Sequence, residues 1–329
     1  MASYEKIDYL LRPSKQVERK LFIETLQKLA KAGYYIHDYT YFGLGSIYYA
    51  DFILFHKYLH IDSMICAEID LIPKRMEFNK PYEFIQLMME PVSQVIPKLD
   101  RGKKHLVWLD YDFSIHEGIL SDIRSCIHVL APGSIILFTV VSDMRSLMNS
   151  IDPPEAIGLT EEQKKERVAP VLNELIGIHY GEEIKTKDLA TNRLPKVIAK
   201  SLRNFINSCI VTREGLKFFQ VFNFRYRDNL QMLTIGGVID YGDSEGKLEQ
   251  SGIYNLGFVT QEEEPIQISV PPLTIREKIW LEKNLVQLEG HLADNCTLPE
   301  SMPFESEVQP IKNFVKYYRH YPSYYETLV

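Results

Sequence analysis

Two short segments constrain this chain more than any others: residues 39–46, Tyr-Thr-Tyr-Phe-Gly-Leu-Gly-Ser, and residues 67–70, Ala-Glu-Ile-Asp. The first is an apolar run that ends in a glycine-spaced turn and leads into a helical pattern. The second, about 25 residues further on, is an apolar run that ends in acids. Together they read as the first two strands of a nucleoside-binding α/β domain. Gly43 and Gly45 allow a sharp turn and the approach of a ligand without a Cβ in its way. Amide groups at the start of the next helix point to the same spot. Glu68 or Asp70, at the end of the second strand, can accept two hydrogen bonds from a ribose diol. Tyr48 stands where a dinucleotide fingerprint has its third glycine, which favours a ligand without phosphates. The bland alternative is a strand–turn–helix corner with no ligand, and the acid at the right distance argues against it.

The chain of 329 residues allows one large domain, or a main domain with an appendage. Its 45% hydrophobic and 25% charged residues are those of an ordinary globular protein. A net charge of −7 gives no overall basic footprint, so nucleic acid is not indicated as a partner. Cys66, Cys126, Cys209 and Cys296 are far apart, with no Cys-x-x-Cys pair. They read as thiols in a reducing compartment rather than zinc ligands or disulfides. No signal peptide and no membrane-length apolar run is evident, so the expected location is the cytoplasm, away from any membrane.

Val17, Leu21, Ile23, Leu26 and Leu29 have helical spacing within residues 14–32, between the start signal Pro13-Ser14 and Gly33. A regular alternation follows. Strands are expected at 39–44, 63–68, 84–88, 104–110 and 134–141. Helices are expected at 47–59, 71–79, 91–99 and 115–130. Five βα units imply a parallel sheet with right-handed crossovers. Residues 142–205 break the pattern and read as a helical insertion or lid, and 206–213 as β-prone. Residues 218–226 and 231–239 flank Arg-Asp-Asn-Leu as an antiparallel hairpin. An acidic loop then leads to a helix near Pro272, where Thr274 and Glu277 form a capping box. The aromatic tail 317–325 is expected to pack on the body. The organisation is a helical N-terminal extension (1–38), a main domain (39–241) with an insertion at about 144–205, and a C-terminal loop, helix and tail (242–329).

Five parallel βα units closed by an antiparallel hairpin resemble the class I S-adenosylmethionine-dependent methyltransferase fold, an α/β, Rossmann-like architecture. The chain is also similar to bacterial O-methyltransferase-like proteins, which share an Arg-Pro-x-Lys-x-x-Glu-Arg-Lys start (12–20), a Gly-Ser turn, Trp-Leu-Asp-Tyr-Asp (108–112) and a Tyr-Pro-containing aromatic segment near the C-terminus. The resemblance implies methyl transfer with S-adenosylmethionine as cofactor. Gly43, Gly45 and Ser46 would approach its methionine part, Glu68 or Asp70 its ribose, and Met89 and Glu90 its adenine.

Asp110 and Asp112, two apart at the end of the fourth strand, have three readings. They could bind the methionine ammonium, act as general base on an acceptor, or hold a divalent metal. Arg12, Lys15, Glu18 and Arg19 form a charged cluster; Lys15, Glu18 and Arg19 share a helix face. That cluster is either a solvated face with internal ion pairs or a substrate clamp. Tyr48 could wall the pocket or join the core. Two other functions remain open. One is an inactive sensor or assembly subunit of a multi-component bacterial system, such as phage defence, binding a protein partner or a second copy through the insertion and tail. The other is a metal-dependent enzyme acting on a nucleotide or nucleic acid.

Overall fold

A computed structural model describes residues 12–69, 72–151, 158–295 and 297–322. Helix α1 (Pro13–Leu29) precedes the first βα unit, β1 (Thr40–Leu44) and α2 (Ala50–Leu59). Then come β2 (Ser63–Ala67), α3 (Pro73–Asn79), β3 (Ile85–Met88) and the single turn α4 (Val92–Val95). Strand β4 (His105–Ser114), α5 (Glu117–Val129) and β5 (Ser134–Val141) complete the parallel part. The insertion holds α6 (Met144–Ile151), α7 (Glu161–Leu172), a π-turn into α8 (Ile178–Tyr180), and α9 (Leu194–Ile210). The hairpin is β6 (Leu216–Arg227) and β7 (Gln231–Tyr241). After it come α10 (Glu245–Ser251), β8 (Ile266–Ile268), α11 (Ile275–Lys283), α12 (Leu285–Asn295) and α13 (Val308–Tyr317).

The strands form one sheet in the order β3-β2-β1-β4-β5-β7-β6-β8. Strands β1 to β5 run parallel, and β7 is antiparallel to both β5 and β6. Both faces are buried. Leu106 and Trp108 of β4 pack into one core with α1 and α2, and Val107 and Leu109 into the other with α5 and α9. This is the side-chain alternation of a strand covered on two sides, and it explains the unbroken apolar runs.

Two differences from the sequence reading have physical causes. Residues 206–210, expected to be β-prone, finish α9: Val197, Ile198, Ser201, Leu202, Phe205, Ile206 and Cys209 are buried at helical spacing against the second core. Burial of that stripe overrides the β preference of its branched residues. The eighth strand, β8, adds to the sheet edge parallel to β6. It is three residues long, too short for periodicity to reveal. The capping box is present, with Thr274 accepting from the Glu277 amide. Tyr317 and Tyr321 of the tail are buried, and Lys20 of α1 donates to the Tyr321 carbonyl at 2.9 Å. Tyr324 and Tyr325 lie outside the described residues.

Helix α1 is fastened to the sheet by buried charge. Lys15, 1% exposed, donates to Asp110 at 2.9 Å and to the Tyr226 hydroxyl at 3.0 Å. It also lies 2.9 Å from Glu18, and its ammonium sits 4.2 Å above the Trp108 ring. Burial alone would lower the Lys15 pKa, but the Asp110 and Glu18 charges outweigh it and hold the ammonium above its usual value. Burial pushes Glu18 up, against the pull of Lys15. A hydroxyl chain leads to Glu18 from the sheet interior. The Trp108 indole can only donate, and does so to Thr139 at 2.9 Å. Thr139 then donates to Thr234 at 2.8 Å, and Thr234 to Glu18. The amides of Ser14 and Lys15 donate to Asp228 in the β6–β7 turn, at 3.1 and 3.2 Å. A residue more than 200 positions away therefore caps this helix.

Lys15→Met strands two carboxylates, one fully buried, and is expected to cost about 3–5 kcal/mol in urea unfolding, part of it recovered by adding Glu18→Met. In the middle of β7, a Cβ at Gly237 would collide with the Phe219 carbonyl of β6. Gly237→Ala is expected to lose about 1–3 kcal/mol in the same measurement.

Candidate active site

The strand order reverses between β1 and β4, which are hydrogen-bonded neighbours although β2 and β3 intervene in sequence. Open α/β sheets bind ligands outside the carboxyl ends of such strands. A cavity of about 390 Å³ opens there. Leu44, Gly45 and Ser46 reach it from the end of β1, and Ala67, Glu68 and Ile69 from the end of β2. Glu90 to Ser93 follow β3, and Asp110 to Phe113 come from β4. Arg19 of α1, Asp51 of α2 and Asp122 of α5 complete the wall.

Strand β4 leaves its ladder at this point. Asp110 pairs with Thr139 and Ser114 with Val141, so four steps on β4 match two on β5. The irregularity lies between the two and turns Tyr111, Asp112 and Phe113 into the cavity wall. Asp110 therefore stays in the ladder and Asp112 leaves it. The Tyr111 hydroxyl donates to Asp122 at 2.8 Å, while burial pushes the Asp122 carboxyl above its usual range.

The glycines of this corner also have a packing role. Neither Gly43 nor Gly45 has a positive φ; the left-handed residue of this corner is Tyr49, at φ 46°. A Cβ on Gly45 would stand 2.7 Å from Cys66 Sγ and 3.3 Å from Glu68 Cβ, and one on Gly43 would strike the Tyr41 hydroxyl. These glycines let β1 and its loop lie close to neighbouring side chains, and so hold Ser46 and Glu68 side by side.

Other expected site residues divide. Gly45, Ser46, Glu68, Glu90, Asp110, Asp112 and Arg19 line the cavity; Gly43, Met89, Arg12, Lys15 and Tyr48 are not among its lining residues. Asp70 lies outside the described residues. Lys15, Glu18 and Arg19 form no solvated face: all are at most 2% exposed. Lys15 stands behind Asp110, and Arg19 pairs with Asp51 at the wall. Glu90 pairs with Lys98. Tyr48 is half-buried against the first core. The described residues of the insertion, read as a helical insertion or lid, contribute nothing to the lining, and it packs on the second core through Val168, Leu172 and Ile176. Sequence reasoning missed Asp51 and Asp122. Asp51 carried one signal, an acid in the first turn of the helix after the glycine turn. Among the described residues no three His, Cys, Asp or Glu side chains gather as a metal cluster. No helix among them is long and apolar enough to cross a membrane.

The wall sets six carboxylates, those of Asp51, Glu68, Glu90, Asp110, Asp112 and Asp122, around one guanidinium, that of Arg19, which is paired with Asp51.

No curated protein matches the sequence. Among solved structures, the plantazolicin methyltransferase BamL, in complex with a triazolic desmethylPZN analog and SAH, is 9% identical over 62% of this chain and 66% of its own, with a TM-score of 0.38. The N-methyltransferase NodS from Bradyrhizobium japonicum WM9 is 11% identical over 68% of this chain and 97% of its own, with a TM-score of 0.34. A family model described as "Putative O-methyltransferase" matches residues 7–329. With its class I methyltransferase sheet and this match over nearly its whole length, the chain belongs to that O-methyltransferase family.

Proposed function

We propose that the protein transfers the methyl group of S-adenosylmethionine to an acceptor held in the same cavity. The observation that carries this reading is the cavity at the reversal of strand order, with Glu68 at the end of its second strand. Glu68 would hold the ribose diol. Ile69 and Val92 offer apolar contact for adenine beside Glu90. Arg19, fixed by Asp51, would meet the methionine carboxylate near Ser46. Asp110 and Asp112 would face the ammonium and the sulfonium. When bound, S-adenosylmethionine supplies an electrophilic methyl group on a positively charged sulfur.

The chain's own task is alignment and charge. Lys15 holds Asp110 by one oxygen and so restricts how the carboxylate turns. Asp112, outside the ladder, is the group placed to take the proton that the acceptor releases. The methyl group would pass to the acceptor with release of S-adenosylhomocysteine, and the residues of the wall would hold the two in line.

Titration calorimetry tests the site. Binding of S-adenosylmethionine and S-adenosylhomocysteine at micromolar concentration is expected, and Glu68→Ala should weaken both by ten-fold or more (about 1.4 kcal/mol). No heat with either ligand, from protein that unfolds cooperatively, would refute the cofactor assignment.

A further inference from the structure

Resting on the cofactor reading above, we propose that Glu18 is a positioning residue of the site: it divides the charge of Lys15 and so keeps the Asp110 carboxylate able to hold a cation of the cofactor. Glu18 is not among the residues that line the cavity. It acts through an ammonium for which two acids compete. Lys15 Nζ lies 2.9 Å from Glu18 Oε2 and 2.9 Å from Asp110 Oδ1. The Glu18 side chain has no exposed surface, while that of Asp110 is 20% exposed and lines the cavity. Of the two, only Asp110 can meet a ligand. A cation between two carboxylates neutralises neither in full, since both draw on one charge. Without the Glu18 charge, all of the Lys15 charge falls on Asp110, and the pull of Asp110 on a ligand drops.

The arrangement works only while Glu18 is ionised, and burial pushes its carboxyl towards the neutral form. A one-way chain of hydrogens opposes this. The Trp108 indole can only donate, and it gives its hydrogen to Thr139 at 2.9 Å. Thr139 then has its own hydrogen to pass to Thr234 at 2.8 Å, and Thr234 passes its hydrogen to Glu18 Oε1. Trp108 and both threonines are at most 1% exposed, so solvent offers no other partner. If a protonated Glu18 donated to Thr234, the chain would run backwards. Thr234 would donate to Thr139, and the Thr139 hydrogen would be left in the core without an acceptor, a costly state. A proton on Oε2 would face the Lys15 ammonium, which can only donate. Strands β4, β5 and β7 thus each supply one side chain to a line that ends on the acid beside Lys15 and favours its charged form.

The test measures the affinity of the full chain for two nucleosides by calorimetry, directly or by competition. S-adenosylmethionine carries an ammonium and a sulfonium; 5′-methylthioadenosine keeps the adenine, ribose and sulfur and carries neither charge. Glu18→Gln is expected to weaken S-adenosylmethionine by about five-fold or more (about 1 kcal/mol) and to leave methylthioadenosine within about two-fold of the unaltered chain. Thr234→Val, which takes the last hydrogen away from Glu18, should move the ratio of the two affinities in the same direction, and Thr234→Ser should restore it. The threonine pair carries the test if Glu18→Gln does not unfold cooperatively. An unchanged ratio overturns the proposal, whether both affinities fall together, as a merely structural role requires, or neither falls. A loss in Thr234→Val that Thr234→Ser does not recover overturns it too. Failure of the unaltered chain to bind S-adenosylmethionine or methylthioadenosine, measured first, strikes the cofactor reading instead.

Discussion

A single buried ammonium ties this molecule together. Removing Lys15 from water is costly, and the cost is offset only because its three hydrogens meet Glu18, Asp110 and the Tyr226 hydroxyl at 2.9, 2.9 and 3.0 Å. Those acceptors belong to α1, β4 and β6, so one side chain fixes a helix against two strands of the sheet. The arrangement has few alternatives. If α1 slides by one turn, the ammonium loses its partners and two carboxylates lose their counter-charge. The helix that precedes the first strand is thus part of the site: it supplies Arg19 to the wall and the cation behind Asp110.

The sheet does the remaining positioning. Strands β1 and β4 lie side by side while their connections leave in opposite directions, which opens a crevice at their carboxyl ends. The depth of that crevice is set by contacts that exclude side chains. Gly45 brings the loop after β1 against Cys66 and Glu68, and the irregularity after Asp110 swings Tyr111 to Phe113 out of the ladder. Ladder hydrogen bonds are given up over these residues, in exchange for an Asp and two rings facing a common space.

Much of this frame was legible in the sequence because it rests on local regularity. The five βα units follow from apolar runs broken by turns, the hairpin from two β-rich runs around Arg-Asp-Asn-Leu, and Glu68 from an acid at a strand end. Residues whose meaning is set by distant partners were not legible. Lys15, Glu18 and Arg19 look like any solvated helix face until Asp110, Thr234 and Asp51 are found opposite them. Asp122 is an ordinary helix acid until Tyr111 bonds to it. The same cause misled at 206–210, where branched residues read as strand but a buried helical stripe decides. At Gly43 and Gly45 the small size also serves packing beneath the loop, which only the neighbouring side chains reveal.

The charge pattern links the buried tie to the proposed chemistry. A site that bound a sulfonium through unopposed carboxylates would stabilise the reactant more than the transition state, where that charge is already leaving sulfur. Here the carboxylates are shared: Asp110 with Lys15, Asp51 with Arg19, Glu90 with Lys98. Sharing would temper their pull on the charge of a bound cofactor. The buried ammonium that holds α1 in place would thus also set how strongly Asp110 grips that charge.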